Sequence, residues 1–199
     1  MMLIEETPIP DAALPVEAFK AHLRLGSGFG PDDVQDVVLL SFLRAAIAAV
    51  EGRTGKVLLE RQFQQTVTAW RRIDGHVLQV APVGQVSRVE LVDHQGTRVD
   101  VDPAAYWLER DGHGPKLRPA GAALPRIVQA GSAVVHFVAG FADNWEGVPA
   151  DLRQAVLMLA AHYYEYRHDT GLSNGCMPFG VSSLIERYKA LRLGAGVMR

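Results

Sequence analysis

Three side chains near the carboxyl end of the chain have the types and the spacing that could bind a metal ion. His162, Glu165 and His168 follow one another at intervals of three residues, and a Glu-x-x-His pair is part of how some helical bundles hold metals. With a bound metal, this group would indicate a metal-dependent hydrolase. Such bundles need further carboxylates from facing helices, and the two histidines lie well apart around a helix axis. The sequence therefore favours a polar helix face over a metal centre.

Other motifs that could carry chemistry have simpler structural interpretations. Cys176 is the only cysteine and lies in a predicted loop, so we interpret it as incidental and expect its replacement to be tolerated. The glycines of residues 26–30 follow no strand and precede no Lys-Ser or Lys-Thr pair, which favours a turn between helices over a phosphate cradle. Asp93, Asp100 and Asp102 flank a predicted hairpin turn, where acids are common. No segment has the spacing of an active site, and the sequence predicts a non-enzymatic protein without a cofactor.

Composition bounds the function further. The chain has 199 residues, 48% of them hydrophobic, and a formal net charge of -2, which predicts a globular protein that does not clamp nucleic acid through many phosphates. Two local basic groups could contact DNA or acidic partners, but solvated faces are the favoured interpretation. These groups are Arg71 with Arg72, and Arg187, Lys189, Arg192 and Arg199. One cysteine excludes an intrachain disulfide, and no apolar run reaches the length of a membrane-spanning helix.

Helical patterns occupy both ends of the chain. The first predicted helix begins near Pro15 and ends at Gly26; the second runs from about Asp32 to about Gly52. The second helix has a wide apolar stripe, which requires burial against more than one neighbour, in the same chain or in another copy. The stripe consists of Val34, Val37, Val38, Phe42, Leu43, Ala46, Ile47 and Val50. Two more helices are predicted at residues 151–168 and 181–193, separated by a loop at residues 170–179.

The middle of the chain changes to the period of β-strands. Apolar and polar residues alternate over residues 63–69, and residues 86–101 form a predicted hairpin around a turn at residues 93–96. Further strands are predicted at residues 106–109 and 133–138, separated by glycine- and proline-rich turns such as residues 112–115. The fold class is therefore α+β. Residues 1–56 and 142–199 are predicted to form a helical bundle, and residues 57–141 a β-rich central insertion.

A family resemblance follows from the order of short segments along nearly the whole chain. Near the start they are residues 15–24 (PVEAFKAHLR) and 46–55 (AIAAVEGRTG). In the middle they are Trp70 and residues 81–86, 92–96, 102–106 and 137–141. Near the end they are residues 148–155, 161–167 (AHYYEYR) and 177–181 (MPFGV). Together they resemble the head-tail connector, or adaptor, proteins of long-tailed phages. The form with a β-rich insertion also resembles the adaptors of gene transfer agents, phage-like particles made by some bacteria; the sequence leaves prophage and gene transfer agent open.

The resemblance implies a structural role at the head-tail interface of a particle made in the bacterial cytoplasm. About twelve copies would form a ring through head-to-tail contacts. The ring would lie beneath the portal protein, prolong its channel for double-stranded DNA without sequence-specific binding, and dock the next connector, stopper or tail component. A near-neutral chain suits a channel in which DNA slides. For partner binding we expect five residues near the carboxyl end: Tyr164, Tyr166, Phe179, Tyr188 and Arg192.

Overall fold

The structure of the chain, a computed structural model, describes residues 1–25, 33–167 and 177–189. Helices lie at both ends and two antiparallel sheets lie between them, so the predicted α+β class is confirmed. The helices are α1 (Val16–His22), α2 (Asp33–Thr54), α3 (Ala150–Glu165) and α4 (Phe179–Ile185). No helix in these described ranges is both long enough and apolar enough to cross a membrane.

Proline sets the start of three helices. Pro15, Pro149 and Pro178 directly precede α1, α3 and α4, because a proline needs no hydrogen-bond acceptor for its nitrogen and restricts φ. The predicted final helix is wrong in its length. It ends at Ile185 and passes into a short 3-10 turn (Glu186–Tyr188), and the backbone is already extended at Lys189. The part of that prediction beyond Lys189 lies outside the described residues.

The helices bury one apolar cluster between them. Phe19 of α1, Leu43 and Ile47 of α2, and Leu152 and Leu159 of α3 are all almost fully buried within it. The predicted stripe of α2 is only partly buried. Val37 and Val38 are 66% and 42% exposed, because α1 and α3 cover only one side of the helix.

The larger sheet has five strands in the order β1-β2-β8-β4-β5. These are β1 (Met2–Glu5), β2 (Arg61–Val67), β4 (Val83–Val92), β5 (Arg98–Asp100) and β8 (Ser132–Ala139). The hairpin predicted around residues 93–96 is confirmed, since β4 pairs with β5 across that turn. The sequence did not predict β1, which pairs with β2 at the sheet edge.

A smaller sheet of three strands completes the middle of the chain. Its strands are β3 (His76–Val77), β6 (Tyr106–Glu109) and β7 (Lys116–Pro119), in the order β3-β7-β6. The two sheets share a second apolar cluster, in which the rings of Phe63 and Phe137 stack with centroids 5.8 Å apart. The division of the chain into a helical core and an inserted domain stays a prediction.

A buried ion pair joins the end of α2 to the start of β2. Nη2 of Arg61 donates to both carboxylate oxygens of Glu51 at 2.7 Å, and the Leu58 backbone N–H donates to the same carboxylate at 2.8 Å. The side chains of Arg61 and Glu51 are only 6% and 16% exposed. Burial raises the pKa of Glu51 above its ordinary value despite the attraction of Arg61. This contact ties the helices to the larger sheet.

Candidate partner-binding surface

Phe179 is the most exposed large apolar side chain of the described structure. It is the first residue of α4 and is 88% exposed. The rest of the helix is anchored: Val181 and Ile185 are fully buried, and Gly180 packs so closely on α3 that an added Cβ would lie 2.8 Å from Cε of Met158. The fold therefore presents the Phe179 ring to the surroundings on a fixed helix.

Tyr188 is already engaged within the chain. Its hydroxyl donates to Oδ1 of Asp151 at 2.7 Å and accepts from Nη2 of Arg187 at 2.5 Å, while Arg187 also pairs with Oδ2 of Asp151 at 2.7 Å. Its ring meets that of Phe141 edge to face, with centroids 6.0 Å apart. Burial raises the pKa of the Tyr188 hydroxyl above its ordinary value. Tyr188 therefore fastens the 3-10 turn to the start of α3, and any part in partner binding stays a prediction.

Tyr164 and Tyr166 lie at the other end of α3. Tyr164 is half-buried, with its ring edge-on to that of Phe42 at 6.0 Å and the Arg167 guanidinium 4.6 Å above it. Tyr166 is 48% exposed, and its ring lies 4.7 Å from that of His162. Of these two tyrosines, Tyr166 offers a partner the larger free face.

The predicted partner-binding residues line one helix and do not form a single cluster. Tyr188 contacts Asp151 in the first turn of α3, α4 begins beside Met158, and Tyr166 follows the last turn. At 1.5 Å per residue, Asp151 and Tyr166 lie about 22 Å apart along the axis. Arg192 lies outside the described residues. A partner that touched all of these aromatic residues would have to extend along the whole of α3.

A cleft beside the carboxyl-terminal helix was not predicted from the sequence. It has a volume of about 950 Å³ and lies between the loop at His113 and Gly114 and the last described segment of the chain. Its other lining residues include two acidic and two basic side chains: they are Asp151, Ser183, Leu184, Glu186, Arg187 and Lys189. The sequence predicted only a turn at residues 112–115, and a turn does not indicate which other segment of the chain lies beside it.

A mostly uncharged face of α2 is a second surface, and it includes Val37 and Val38 of the predicted stripe. These valines are followed along the helix by exposed Ser41, Ala45 and Ala48, and the charged side chain on this side, Arg44, is 40% exposed and paired with Asp11. A helix face of valine, serine and alanine side chains normally lies against another element. In the described chain, no element covers this one.

Solved structures resemble the chain, whereas no family model and no curated protein matches it. A chain in the neck of an empty gene transfer agent (GTA) particle, computed with C6 symmetry, is 48% identical, with a TM-score of 0.90 and coverage of 98% of this chain and 99% of that chain. A chain in the virion of a native GTA particle is 47% identical, with a TM-score of 0.87 and the same coverage. A chain in the neck of a native GTA particle, computed with C12 symmetry, is 45% identical, with a TM-score of 0.85 and again the same coverage.

This chain belongs to the head-tail connector family of gene transfer agents. The family resemblance predicted from the sequence is therefore confirmed, and of its two sources the matches favour the gene transfer agent. The members in these structures are parts of a virion and its neck, so the connector family is a family of structural proteins.

The alternative of a metal-dependent hydrolase gains no support from the connector fold. His162 is half-buried and packs on Tyr166, Glu165 is exposed, and His168 lies outside the described residues. Across residues 1–25, 33–167 and 177–189, no three histidine, cysteine, aspartate or glutamate side chains are grouped as metal ligands. Cys176 also lies outside this part of the chain.

Proposed function

We propose that this connector-family protein is an adaptor subunit that assembles as a ring beneath the portal of a gene transfer agent particle. The observation that carries the proposal is the similarity over 98% of the chain to neck chains computed with C6 and with C12 symmetry. A ring of about twelve copies is compatible with both symmetries, since sixfold symmetry is contained in twelvefold symmetry. In this ring, each copy contacts its neighbours, the portal above and the next connector or tail component below.

A head-to-tail ring needs two different contact surfaces on every subunit. The helices of the described chain carry two of its exposed apolar features: the mostly uncharged face of α2 with Val37 and Val38, and the region of Phe179 and Tyr166 along α3 and α4. We assign the α2 face to one of the two contact surfaces between copies, because its small uncharged side chains allow a neighbouring backbone to approach closely. We assign the Phe179 region to docking of another particle protein.

The ring also extends the DNA channel in this proposal. The net charge of -2 supports a wall along which DNA slides, because a protein that held phosphates would need an excess of Lys and Arg. Several arginines of the β-rich region are occupied by carboxylates. Arg72 and Arg118 pair with Asp74, and Arg98 pairs with Glu90.

Electron microscopy of particles tests the proposed place of the protein. A producing strain in which the gene is inactivated should release heads without tails, and the wild-type gene should restore tailed particles. Phe179→Ala should fail to restore them although the protein folds, because this side chain is 88% exposed. Val128→Ala is the matched control, since Val128 is also apolar and 49% exposed but lies away from α4. Normal tailed particles from the inactivated strain would overturn the proposal.

Mass measurement and electron microscopy of the purified protein test the contact between copies. Val37→Glu places a charge on the α2 face and should reduce ring formation at least about tenfold, because the charge would have to be desolvated in the interface. Val99→Glu is the control, since Val99 is similarly exposed at 61% but lies on β5. Equal ring formation by both variants and the wild type would exclude the α2 face as the contact.

A further inference from the structure

A cleft in the β-rich region is lined by hydrogen-bond donors and by no acidic side chain of the described chain. Its volume is about 440 Å³. Its polar lining comes chiefly from Arg71, Arg72, His76 and His113, and Val77, which is 43% exposed, contributes apolar surface. We call it the imidazole cleft. The connector role does not require such a cleft, and none of its residues is among the five expected to bind a partner. From the sequence, Arg71 with Arg72 was only a less favoured candidate for contact with DNA or acidic partners.

His76 is a positioned donor in the imidazole cleft. The Gln79 backbone N–H donates to Oε1 of Gln65 at 3.0 Å, which turns the amide nitrogen of Gln65 toward Nε2 of His76 at 2.8 Å. Because Nε2 accepts this bond, the ring proton of a neutral His76 lies on Nδ1. His76 is only 4% exposed, and Gln65 is fully buried. Burial, helped by the charge of Arg71, lowers the pKa of His76, so the ring donates without carrying a charge at neutral pH.

His113 is oriented in the same manner by a buried lysine. Nζ of Lys56 lies 3.2 Å from Nδ1 of His113 and also donates to the Gly112 carbonyl oxygen. An ammonium group can only donate, so Nδ1 accepts and the proton of His113 lies on Nε2. Lys56 is 2% exposed, and burial lowers its pKa although the charge of Asp111 acts to raise it. The Asp111 carboxylate accepts from the backbone N–H groups of residues 113 and 114. A positive charge with no direct carboxylate partner therefore stands behind His113.

The two arginines of the cleft differ in whether their guanidinium groups already have partners within the chain. Arg72 donates to Asp74 through two nitrogens, at 2.8 and 3.3 Å, and Arg118 donates to the same carboxylate at 2.9 Å. These contacts, led by that of Arg72, lower the pKa of Asp74 to about 2, so it remains an anion held by its two partners. Arg71 has no ion pair or hydrogen bond with the described residues. Its guanidinium group is thus free to bind an anion from outside.

We propose that the imidazole cleft binds a carboxylate side chain from an acidic, partly apolar peptide segment of another protein. Arg71 supplies the charge, His76 and His113 supply oriented donors, and Val77 contacts the apolar neighbours of the carboxylate. Guanidinium and imidazole donors suit any oxyanion, including phosphate. The apolar part of the lining and the net charge of -2 favour a peptide over DNA.

Nuclear magnetic resonance of the imidazole groups in the full chain tests this site. The probe is the peptide acetyl-Leu-Glu-Leu-amide, with acetyl-Leu-Gln-Leu-amide as its uncharged counterpart. The glutamate peptide should shift the His76 and His113 resonances in a saturable way, and the glutamine peptide should not. The resonance of His136 is an internal reference, since His136 is bound to Glu90 on the larger sheet. The nitrogen shifts also report directly whether His76 carries its proton on Nδ1.

Two arginine variants distinguish peptide binding at the imidazole cleft from nonspecific electrostatic attraction to the protein surface. Arg71→Gln should weaken the glutamate peptide at least about tenfold, the usual effect of losing a charge-assisted hydrogen bond. Arg126→Gln is the matched control, because Arg126 is exposed and does not line the cleft. Equal weakening by both variants, or no saturable shift at millimolar peptide, would overturn the proposal. Inorganic phosphate or a short DNA duplex binding more tightly than the peptide would overturn the assignment to a carboxylate.

Discussion

The ion pair between Glu51 and Arg61 leads to an asymmetric prediction for protein stability. Glu51→Gln should lower the free energy of unfolding by about 3–5 kcal/mol, because it leaves a buried cation without its main partner. A glutamine oxygen in the place of Oε1 still accepts from Arg61 and from the Leu58 N–H, but the amide nitrogen then takes the place of Oε2 and faces the Nη2 donor of Arg61. Glu5, at 3.2 Å, remains as a weaker partner for Arg61. For a chain of this size, the loss corresponds to a fall in Tm of about 6–20 °C.

Arg61→Met should cost less, and its cost should depend on pH. Glu51 would keep the hydrogen bond from Leu58, and the buried carboxylate can bind a proton, whereas an arginine cannot lose one. The folded-state pKa of Glu51 already lies above its ordinary value of 4.5, and removing Arg61 should raise it further. The folded state then binds more protons than the unfolded state, so the destabilisation grows as pH rises through this window and shrinks as pH falls.

Urea unfolding of the wild type, both single variants and the double variant would measure these effects. The series should be recorded at pH 7 and at about pH 5, where more of the Glu51 carboxyl is protonated in Arg61→Met. The double variant should be more stable than the sum of the single losses suggests, since it leaves no buried charge unpaired. The reasoning is refuted if Glu51→Gln costs under about 1 kcal/mol, or if Arg61→Met is the worse variant at the lower pH.

Three further outcomes follow from the β-rich region. Phe137→Ala should cost about 3–5 kcal/mol in urea unfolding, because Phe137 is 1% exposed and stacks in the second apolar cluster. Gly140→Ala should lower Tm strongly, since φ is +149° and the new Cβ would lie 2.5 Å from neighbouring backbone; Gly121→Ala, with nothing within 4 Å, should not. For Glu90, burial acts to raise the pKa but is outweighed by the hydrogen bond from His136 and two nearby arginines, which lower it. This stabilisation is present above the ordinary value of 4.5 and lost as pH falls through the folded pKa, so acid unfolding of the wild type should be steeper than that of Glu90→Gln.

Elements with one buried face could be predicted from the sequence. In β2, Phe63 and Val67 are buried and alternate with more exposed neighbours, which produces the period of two that was predicted. The strand at residues 106–109 was predicted with its observed bounds. The edge strand β1 could not be found in this way, because three of its four residues are exposed and the strand depends on backbone pairing with β2.

Contacts between side chains on different elements could not be predicted from patterns in the sequence. Glu51 and Arg61 are ten residues apart on different elements, and only the turn between α2 and β2 brings them together. The imidazole cleft likewise joins residues 71–79 to His113, which the sequence showed only as part of a glycine-rich turn. At the partner-binding surface, Phe179 and Tyr188 were equally plausible from their types. The structure separates them, because one is 88% exposed and the hydroxyl of the other is bound to Asp151.

The predicted stripe of α2 shows why the apolar stripe of a helix can include residues that the core of its own chain does not cover. Periodicity records which residues of a helix are apolar, and it does not record whether their neighbours belong to the same chain. Leu43 and Ile47 are covered by the helical core, whereas Val37 and Val38 on the same helix are left exposed. An exposed valine gains nothing from solvent, but burying its side chain in a contact is worth about 1.5–3 kcal/mol. Each subunit of a ring has two neighbours, and small gains of this kind at each contact favour a closed ring over the free chain. We therefore expect the exposed part of the stripe to be buried only on assembly.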